Sequence, residues 1–104
     1  MSEQVSAAPS VSLRLYIVAG APNSTAAQRN LEAILTDLGA GHFALEIVDC
    51  VIEPLRALAE GVVVTPTLVK VSPAPTRTII GTLSDRASVA AVLALDAPQP
   101  LASR

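Results

Sequence analysis

The amino-acid sequence predicts one small α/β domain in which helices flank a sheet. Short apolar runs rich in β-branched residues alternate with longer segments whose apolar side chains recur at helical spacing. At 104 residues, with 51% apolar and 15% charged residues, the chain can bury one core and has no room for a second domain. We expect the folded unit to span residues 11–95, between loose tails at residues 1–10 and 96–104.

The first half of the chain has the pattern of strand, helix and strand. Residues 13–18 form a near-continuous apolar run, which is typical of a central strand. In the helix that follows, Asn23 or Ser24 can serve as the cap and Gly39 as the stop. Alternating apolar residues then predict a second strand at residues 43–51, parallel to the first because strand–helix–strand crossovers are right-handed. The apolar face of the helix comprises Ala27, Leu31, Ile34, Leu35 and Leu38.

The third quarter of the chain predicts a short helix and a third strand. Pro54 suits a first helical turn, and Gly61 can end that helix. Residues 62–71 are the most β-prone stretch, although Pro66 cannot donate to a ladder and must lie at the start or edge of a strand. The two prolines of residues 72–75 then mark a turn.

The last quarter of the chain predicts a fourth strand at residues 77–80 and a helix that Ser84 can cap. Every side chain in residues 89–95 is apolar, so periodicity cannot separate a buried helix from a buried strand, and only the alanine content favours the helix. The resulting order, βαβαββα, is the minimal thioredoxin-like arrangement.

The composition argues against several classes of partner and location. With a formal charge of -2 and only Tyr16 and Phe43 as aromatic residues, the chain lacks the features of a nucleic-acid binder. No apolar run approaches the ~18 residues of a membrane span, and the first residues do not resemble a secretory signal. We therefore expect a cytoplasmic protein with no nucleic-acid or membrane partner.

No residue pattern predicts catalysis, a metal site or a cofactor. The turn AGAPNS at residues 19–24 has no cysteine pair, although a thioredoxin-like domain would carry its reactive thiols there. The lone Cys50 has no neighbouring cation to stabilise a thiolate, so a small apolar filler is the first expectation and a one-cysteine redox site the alternative. His42 lacks partner ligands at zinc spacing and should face solvent. The carboxylates are expected to be single, solvated charges, with Asp49 the one candidate for burial.

The segment Thr65-Pro66-Thr67 is the most specific local feature. A cis proline at this place opens the third strand of thioredoxin-like folds and faces the first strand-to-helix turn. The alternative is an ordinary trans proline that interrupts an edge strand, which is the more common state of such bonds. The sequence leaves both possibilities open.

Several stretches taken together resemble the KaiB family of circadian clock proteins, over residues 13–93. They are Leu15-Tyr16, Ala19-Gly20, Pro22-Asn23-Ser24, residues 44–49, Thr65-Pro66-Thr67-Leu68, Pro73-Ala74-Pro75, and the IIGTLSDR segment at residues 79–86. The resemblance implies a non-catalytic binding module, without cofactor, for the ring-shaped hexameric ATPase KaiC, whose phosphorylation cycle it regulates.

The resemblance also implies two folds. Besides the thioredoxin-like monomer that captures KaiC, the family has a tetrameric ground state in the order βαββααβ. Two packings that differ by only a few kcal/mol can exchange in this way. Cis/trans isomerisation at Pro66, Pro73 and Pro75 is expected to slow the exchange.

The implied partner-binding surface lies in the second half, around residues 54–58, residues 65–70 and Arg77. The candidate binding residues are Arg56, Leu58, Thr65, Pro66, Lys70 and Arg77. For the three cations among them, the alternative is that each is a solvated surface charge.

The sequence departs from the family at charged positions, which weakens the expected electrostatic steering onto the ATPase. Glu46, Val62 and Thr78 stand where basic residues are usual, and Thr82 and Ala87 where acidic residues are common.

The sequence supports the hypothesis that the thioredoxin-like state dominates without a partner. In this hypothesis residues 62–64 strengthen the strand that leads to Pro66, and alanines strengthen the last helix. These alanines are Ala87, Ala90, Ala91 and Ala94.

Three other functions compete with the clock assignment. The first is the thioredoxin-like sensor domain of a clock-output histidine kinase. The second is a stress-response KaiB paralogue with a different partner. The third is a redox enzyme that uses Cys50.

Overall fold

The computed structural model describes residues 10–96, with the backbone alone described for residues 94–96. Except for Ser10 and Asp96, the predicted tails lie outside the described residues. The observed order confirms the predicted βαβαββα arrangement. The elements are β1 Val11–Ile17, α1 Pro22–Leu38, β2 Phe43–Asp49, α2 Pro54–Ala59, β3 Thr67–Ser72, β4 Arg77–Ile80 and α3 Arg86–Asp96, with a 3₁₀ turn at Ala40–His42 before β2.

The four strands form one mixed sheet in the order β2-β1-β3-β4. β1 pairs with β2 in parallel, as predicted, and places Leu15 opposite Ile47. On its other side β1 pairs antiparallel with β3, which places Leu15 opposite Leu68, and β3 pairs antiparallel with β4. The near-continuous apolar run of β1 therefore occupies the interior of the sheet, where both of its faces can be covered.

The two faces of the sheet are covered unequally. On one face, α1 and α3 bury a large cluster that includes Leu31 of α1 and Leu93 of α3, both 0% exposed. The other face carries a smaller cluster, formed by Tyr16, Val48, Ala57 and Val69. Ala57 is the one buried residue of α2. Most of the apolar burial that stabilises the domain is thus on the α1/α3 face.

The start of α1 differs from the prediction. The helix begins at Pro22 with Ala21 as its N-cap and no side-chain cap, so neither Asn23 nor Ser24 caps it. The hydroxyl of the buried Ser24 accepts a hydrogen bond from the Val18 amide at 3.0 Å and so closes the end of β1. The predicted stop is confirmed, because Gly39 is the C-cap of α1 with φ 96°, a conformation that glycine adopts without strain.

The cap of α3 is Asp85 rather than the predicted Ser84. One carboxylate oxygen of Asp85 accepts from the Ser88 amide at 3.2 Å, and the other accepts from the Ser88 hydroxyl at 2.7 Å. Both hydrogen bonds lower the pKa of Asp85, and the one from the Ser88 hydroxyl has the larger effect. Aspartate was missed because both Ser84 and Asp85 are good N-cap residues, and only the first helical residue decides between them.

The third strand is shorter than predicted. Residues 62–64 precede β3 as irregular backbone, and Val63 is 85% exposed. β3 begins only after Pro66, which has no amide hydrogen for a ladder. The hypothesis that the thioredoxin-like state dominates assumed that these valines extend a strand, and this part of it is wrong. The ambiguous residues 89–95 lie in α3, with Val89 and Leu93 both buried.

Candidate functional site

The turn between β1 and α1 carries small and polar residues and no thiol. Pro22 is the first residue of α1, and Ser24 uses its hydroxyl to hold the end of β1. The turn therefore offers backbone and small side chains rather than a nucleophile.

The Thr65-Pro66 peptide bond is cis, the first of the two alternatives that the sequence left open.

Cys50 lies directly after β2 and is half-buried. Its amide donates to the Ile17 carbonyl oxygen at 2.8 Å, which extends the pairing of β2 with β1. Burial, with a smaller contribution from the Asp49 carboxylate, raises the pKa of the Cys50 thiol. A thiol that resists deprotonation is a poor nucleophile, so these surroundings favour the filler role over redox chemistry.

His42 is exposed at the end of the 3₁₀ turn, as predicted. Among the side chains of residues 10–93, no three histidine, cysteine or acidic groups lie close enough together to hold a metal ion. In the same part of the chain, no helix combines the length and apolarity needed to cross a membrane.

The most distinctive surface of the described residues is apolar and centres on α2. Six large apolar side chains there are between 46% and 85% exposed. We call this set the α2 surface. Its members are Val51, Ile52, Leu55, Leu58, Val63 and Val64. All six lie within residues 51–64, on α2 and its two flanks, and such a concentration of exposed apolar side chains is typical of protein interaction sites.

A polar network lies between α2 and the sheet. The guanidinium of Arg56 in α2 donates to both carboxylate oxygens of Glu46 in β2, at 2.7 and 2.8 Å. Arg14 of β1 donates to the same carboxylate at 3.1 Å and to Glu60, just after α2, at 2.7 Å. The Tyr16 hydroxyl also donates to Glu60, at 3.1 Å. The expectation that these carboxylates are single solvated charges is wrong, because the fold brings distant residues together.

The pH dependence of stability should report this network. The hydrogen bonds from Arg56, and then those from Arg14, lower the pKa of Glu46 from 4.5 to about 2. A carboxyl group whose folded-state pKa is lowered stabilises the fold above its ordinary pKa, and this contribution disappears as the pH falls through the lowered value. We expect Glu46→Gln to lower the urea midpoint at pH 7, by an amount that persists to about pH 4.5 and shrinks toward pH 2. Equal midpoints for wild type and variant at pH 7 would contradict this.

The predicted binding residues fall into two groups. Leu58 is 68% exposed on the α2 surface, and Thr65 is half-buried beside it. Arg56 is engaged in the polar network, whereas Arg77 is exposed on β4, at the far edge of the sheet from β2. Of the predicted set, Leu58 therefore belongs to the α2 surface, Arg56 and Thr65 lie next to it in sequence, and Arg77 lies on a different element, β4.

Two predicted binding residues are buried. Pro66 is buried at the start of β3, and Lys70 is only 1% exposed. The Lys70 ammonium donates to the carbonyl oxygens of Pro73 and Pro75, the latter at 2.6 Å. The expectation of a surface cation is wrong for Lys70, because the turn folds back over its side chain and its carbonyl groups replace water around the ammonium.

The predicted residue set missed five members of the α2 surface. Leu55 was covered only by the predicted range 54–58, whereas Val51, Ile52, Val63 and Val64 lay outside every predicted range. A signal was available in the sequence. These apolar pairs flank a helix of only six residues, which starts at Pro54 and is followed two residues after its end by Gly61. A six-residue helix is only about 9 Å long, so it covers too little surface to bury the apolar residues on both of its flanks. Some of these residues must therefore face solvent.

Solved structures define the class of protein. The chain superposes with a TM-score of 0.69 on the N-terminal domain of SasA from Synechococcus elongatus, at 27% identity over 89% of this chain and 87% of that one. Chloroplastic thioredoxin z superposes with a TM-score of 0.71 over 83% of this chain and 77% of its own, and its 15% identity shows the fold alone. The protein is a thioredoxin-like domain whose first turn carries no cysteine pair.

Sequence comparison then gives the family. The family model of the KaiB domain matches residues 14–95. The circadian clock oscillator protein KaiB of Rippkaea orientalis is 43% identical over 77 residues, which cover 74% of each chain. The KaiB protein of Acaryochloris marina is 44% identical over the same length and shares. The chain belongs to the KaiB family, as the resemblance of its motifs indicated.

Proposed function

We propose that this protein is a non-catalytic clock or timing component that binds a KaiC-like hexameric ATPase in its thioredoxin-like state and regulates the phosphorylation cycle of that ATPase. The observation that carries the proposal is the α2 surface, a set of exposed apolar side chains on a fold of the KaiB family. The raised pKa of the Cys50 thiol supports a binding role rather than a redox role. We also propose that the protein acts in the cytoplasm.

Binding through the α2 surface would depend on apolar burial more than on charge. Arg56 lies in α2 and Arg14 pairs with Glu60 just after α2, and both are paired with carboxylates of the same chain. Their charges are locally balanced, so they add little long-range attraction for a partner. The loss of basic residues relative to the family acts in the same direction.

The buried candidates have indirect roles in this proposal. Lys70 and Pro66 would shape the β3 region without touching the partner, and Arg77 would lie outside the central contact. The role of Pro66, Pro73 and Pro75 in switching to a tetrameric ground state stays a prediction of the family resemblance.

The similarity to the SasA domain keeps a second candidate in view, a sensor domain of a clock-output kinase. The KaiB relatives are 43% and 44% identical, against 27% for the SasA domain, which favours the KaiB-type role. A stress-response paralogue of KaiB would share the fold and the α2 surface and differ in its partner.

Sedimentation velocity tests the proposal. The purified chain, carrying a fluorescent label, is mixed with a purified KaiC-type hexamer from the source organism in the presence of ATP. We expect labelled protein to sediment with the hexamer, and the time course of hexamer phosphorylation to change. A label that sediments as the free chain at every hexamer concentration would overturn the clock role. In a parallel run with a different purified ATPase, co-sedimentation would favour the paralogue.

A further inference from the structure

α2 has few apolar contacts to hold it in place. The helix has six residues, Pro54–Ala59, and Ala57 is its one buried residue. Isolated helices shorter than ~12 residues are marginal in water, so a helix of this length depends on its attachment to the rest of the domain. A single alanine side chain provides little of that attachment.

The polar network supplies a second attachment. Arg56 lies in the middle of α2, and its two-pronged contact with Glu46 connects the helix to β2. Glu60 follows the end of α2 and is tied to β1 through Arg14 and Tyr16. Bidentate arginine–carboxylate pairs have defined geometry as well as favourable energy, so they can fix the orientation of a helix.

Glu46 is the centre of this network. Its carboxylate accepts hydrogen bonds from both Arg14 and Arg56. Without that negative charge, two guanidinium groups would lie close together around a neutral side chain, with Glu53 and Glu60 as their remaining carboxylates. Loss of the Glu46 charge therefore removes its attraction for both arginines and leaves the repulsion between α2 and β1 uncompensated.

We propose that Glu46 is a positioning residue that holds α2 against the sheet and so presents Leu55 and Leu58 to the partner. The presentation of these two residues to a ring ATPase depends on the proposed function, whereas the attachment of α2 is a property of the free chain. The charged side chains of the network are between 27% and 49% exposed, so the attachment is sensitive to salt.

Amide hydrogen exchange on the free chain tests the attachment. The Glu60 and Val62 amides donate to the Arg56 and Ala57 carbonyl oxygens and report the opening of α2, whereas the Gly81 amide donates to the Pro66 carbonyl oxygen and reports the β3 region. In Glu46→Gln we expect exchange to be at least about threefold faster in the α2 probes. Exchange should be unchanged at Gly81, because this amide follows the edge strand β4 and opens locally without breaking the Glu46 contacts. In the wild type, 1 M NaCl should have a similar effect, because it shortens the screening length to about 3 Å.

Two further variants show whether the faster exchange of α2 depends on the Glu46–Arg56 pair. Arg56→Gln alone should raise α2 exchange, and the double variant should raise it less than the product of the single effects. The control is Asp37→Asn, which removes the exposed Arg86–Asp37 ion pair between α1 and α3 and should leave α2 exchange unchanged.

The outcomes separate this inference from the proposed function. Unchanged α2 exchange in Glu46→Gln, or an equal rise at Gly81, would overturn the positioning role. Faster α2 exchange together with weaker binding to the hexamer supports it. The affinity should fall by a smaller factor than exchange rises, because binding loses only the fraction of molecules with α2 detached. Faster α2 exchange in a chain whose wild type does not bind the hexamer would sustain the positioning role and overturn the proposed function.

Discussion

Replacing both Leu55 and Leu58 by glutamine should weaken binding to the proposed ring-ATPase partner by about 30-fold or more. The two side chains are 77% and 68% exposed, so in the free chain they contribute little to the core. At an interface each would be buried, and buried apolar anchors commonly contribute more than about 1 kcal/mol apiece. Glutamine keeps the helix propensity and the net charge. Labelled protein titrated with the hexamer, followed by fluorescence anisotropy, measures the change in Kd.

The matched control is Ala33→Gln, an exposed position on α1 in the opposite layer of the domain. We expect it to bind as the wild type does, with both variants within about 0.5 kcal/mol of wild type in stability. Unaltered affinity in the double variant would show that the partner docks elsewhere. Arg77→Ala would then be the next substitution to measure, because Arg77 is exposed on β4.

Leu93→Ala should destabilise the thioredoxin-like state by about 2–5 kcal/mol. Leu93 is 0% exposed and packs in the large cluster, with Val89 one helical turn away and Leu31 of α1 in the same cluster. The substitution removes apolar contacts and leaves a cavity that a packed interior fills only partly. Urea unfolding of the free chain measures the loss of stability. Backbone chemical shifts of residues 86–93 report whether α3 stays helical.

An exposed neighbour gives the control for this core substitution. Ala91→Lys lies on the solvent side of the same helix and should change the stability by no more than about 0.5 kcal/mol. Helical shifts that persist in Leu93→Ala at an unchanged urea midpoint would mean that α3 does not need this contact. Strand-type shifts at residues 89–93 in the wild type would show that the free chain prefers the other fold.

Local rules predicted the first half of the fold well and the second half less well, for physical reasons. α1 has a clear apolar face from Ala27 to Leu38 and a glycine stop, so pattern and capping agree. Residues 62–64 have high β propensity but precede a proline that cannot join the ladder, and tertiary context overrode propensity there. The start of α1 was misplaced because the helix begins at Pro22 after Ala21, without a capping side chain, and the start of α3 because Ser84 and Asp85 are both competent caps.

The candidate site could be predicted only in part. Leu58 followed from the family resemblance, whereas the contacts of Glu46 join residues that are 10 and 32 positions apart in sequence, and no local rule specifies them. The burial of Lys70 depends on the turn at residues 72–75 folding back over β3. Sequence patterns report which residue types are present, but these contacts arise only when the strands and α2 are assembled.

The unequal covering of the sheet has an evolutionary consequence. The residues that stabilise the domain lie mainly between the sheet and the α1/α3 layer, while the side chains of the α2 surface contribute little to that packing. Substitutions in the α2 surface can therefore accumulate in a lineage without lowering the stability below the threshold for folding. One ancestral scaffold can acquire new partners in this way, because selection on recognition and selection on folding act on different residues.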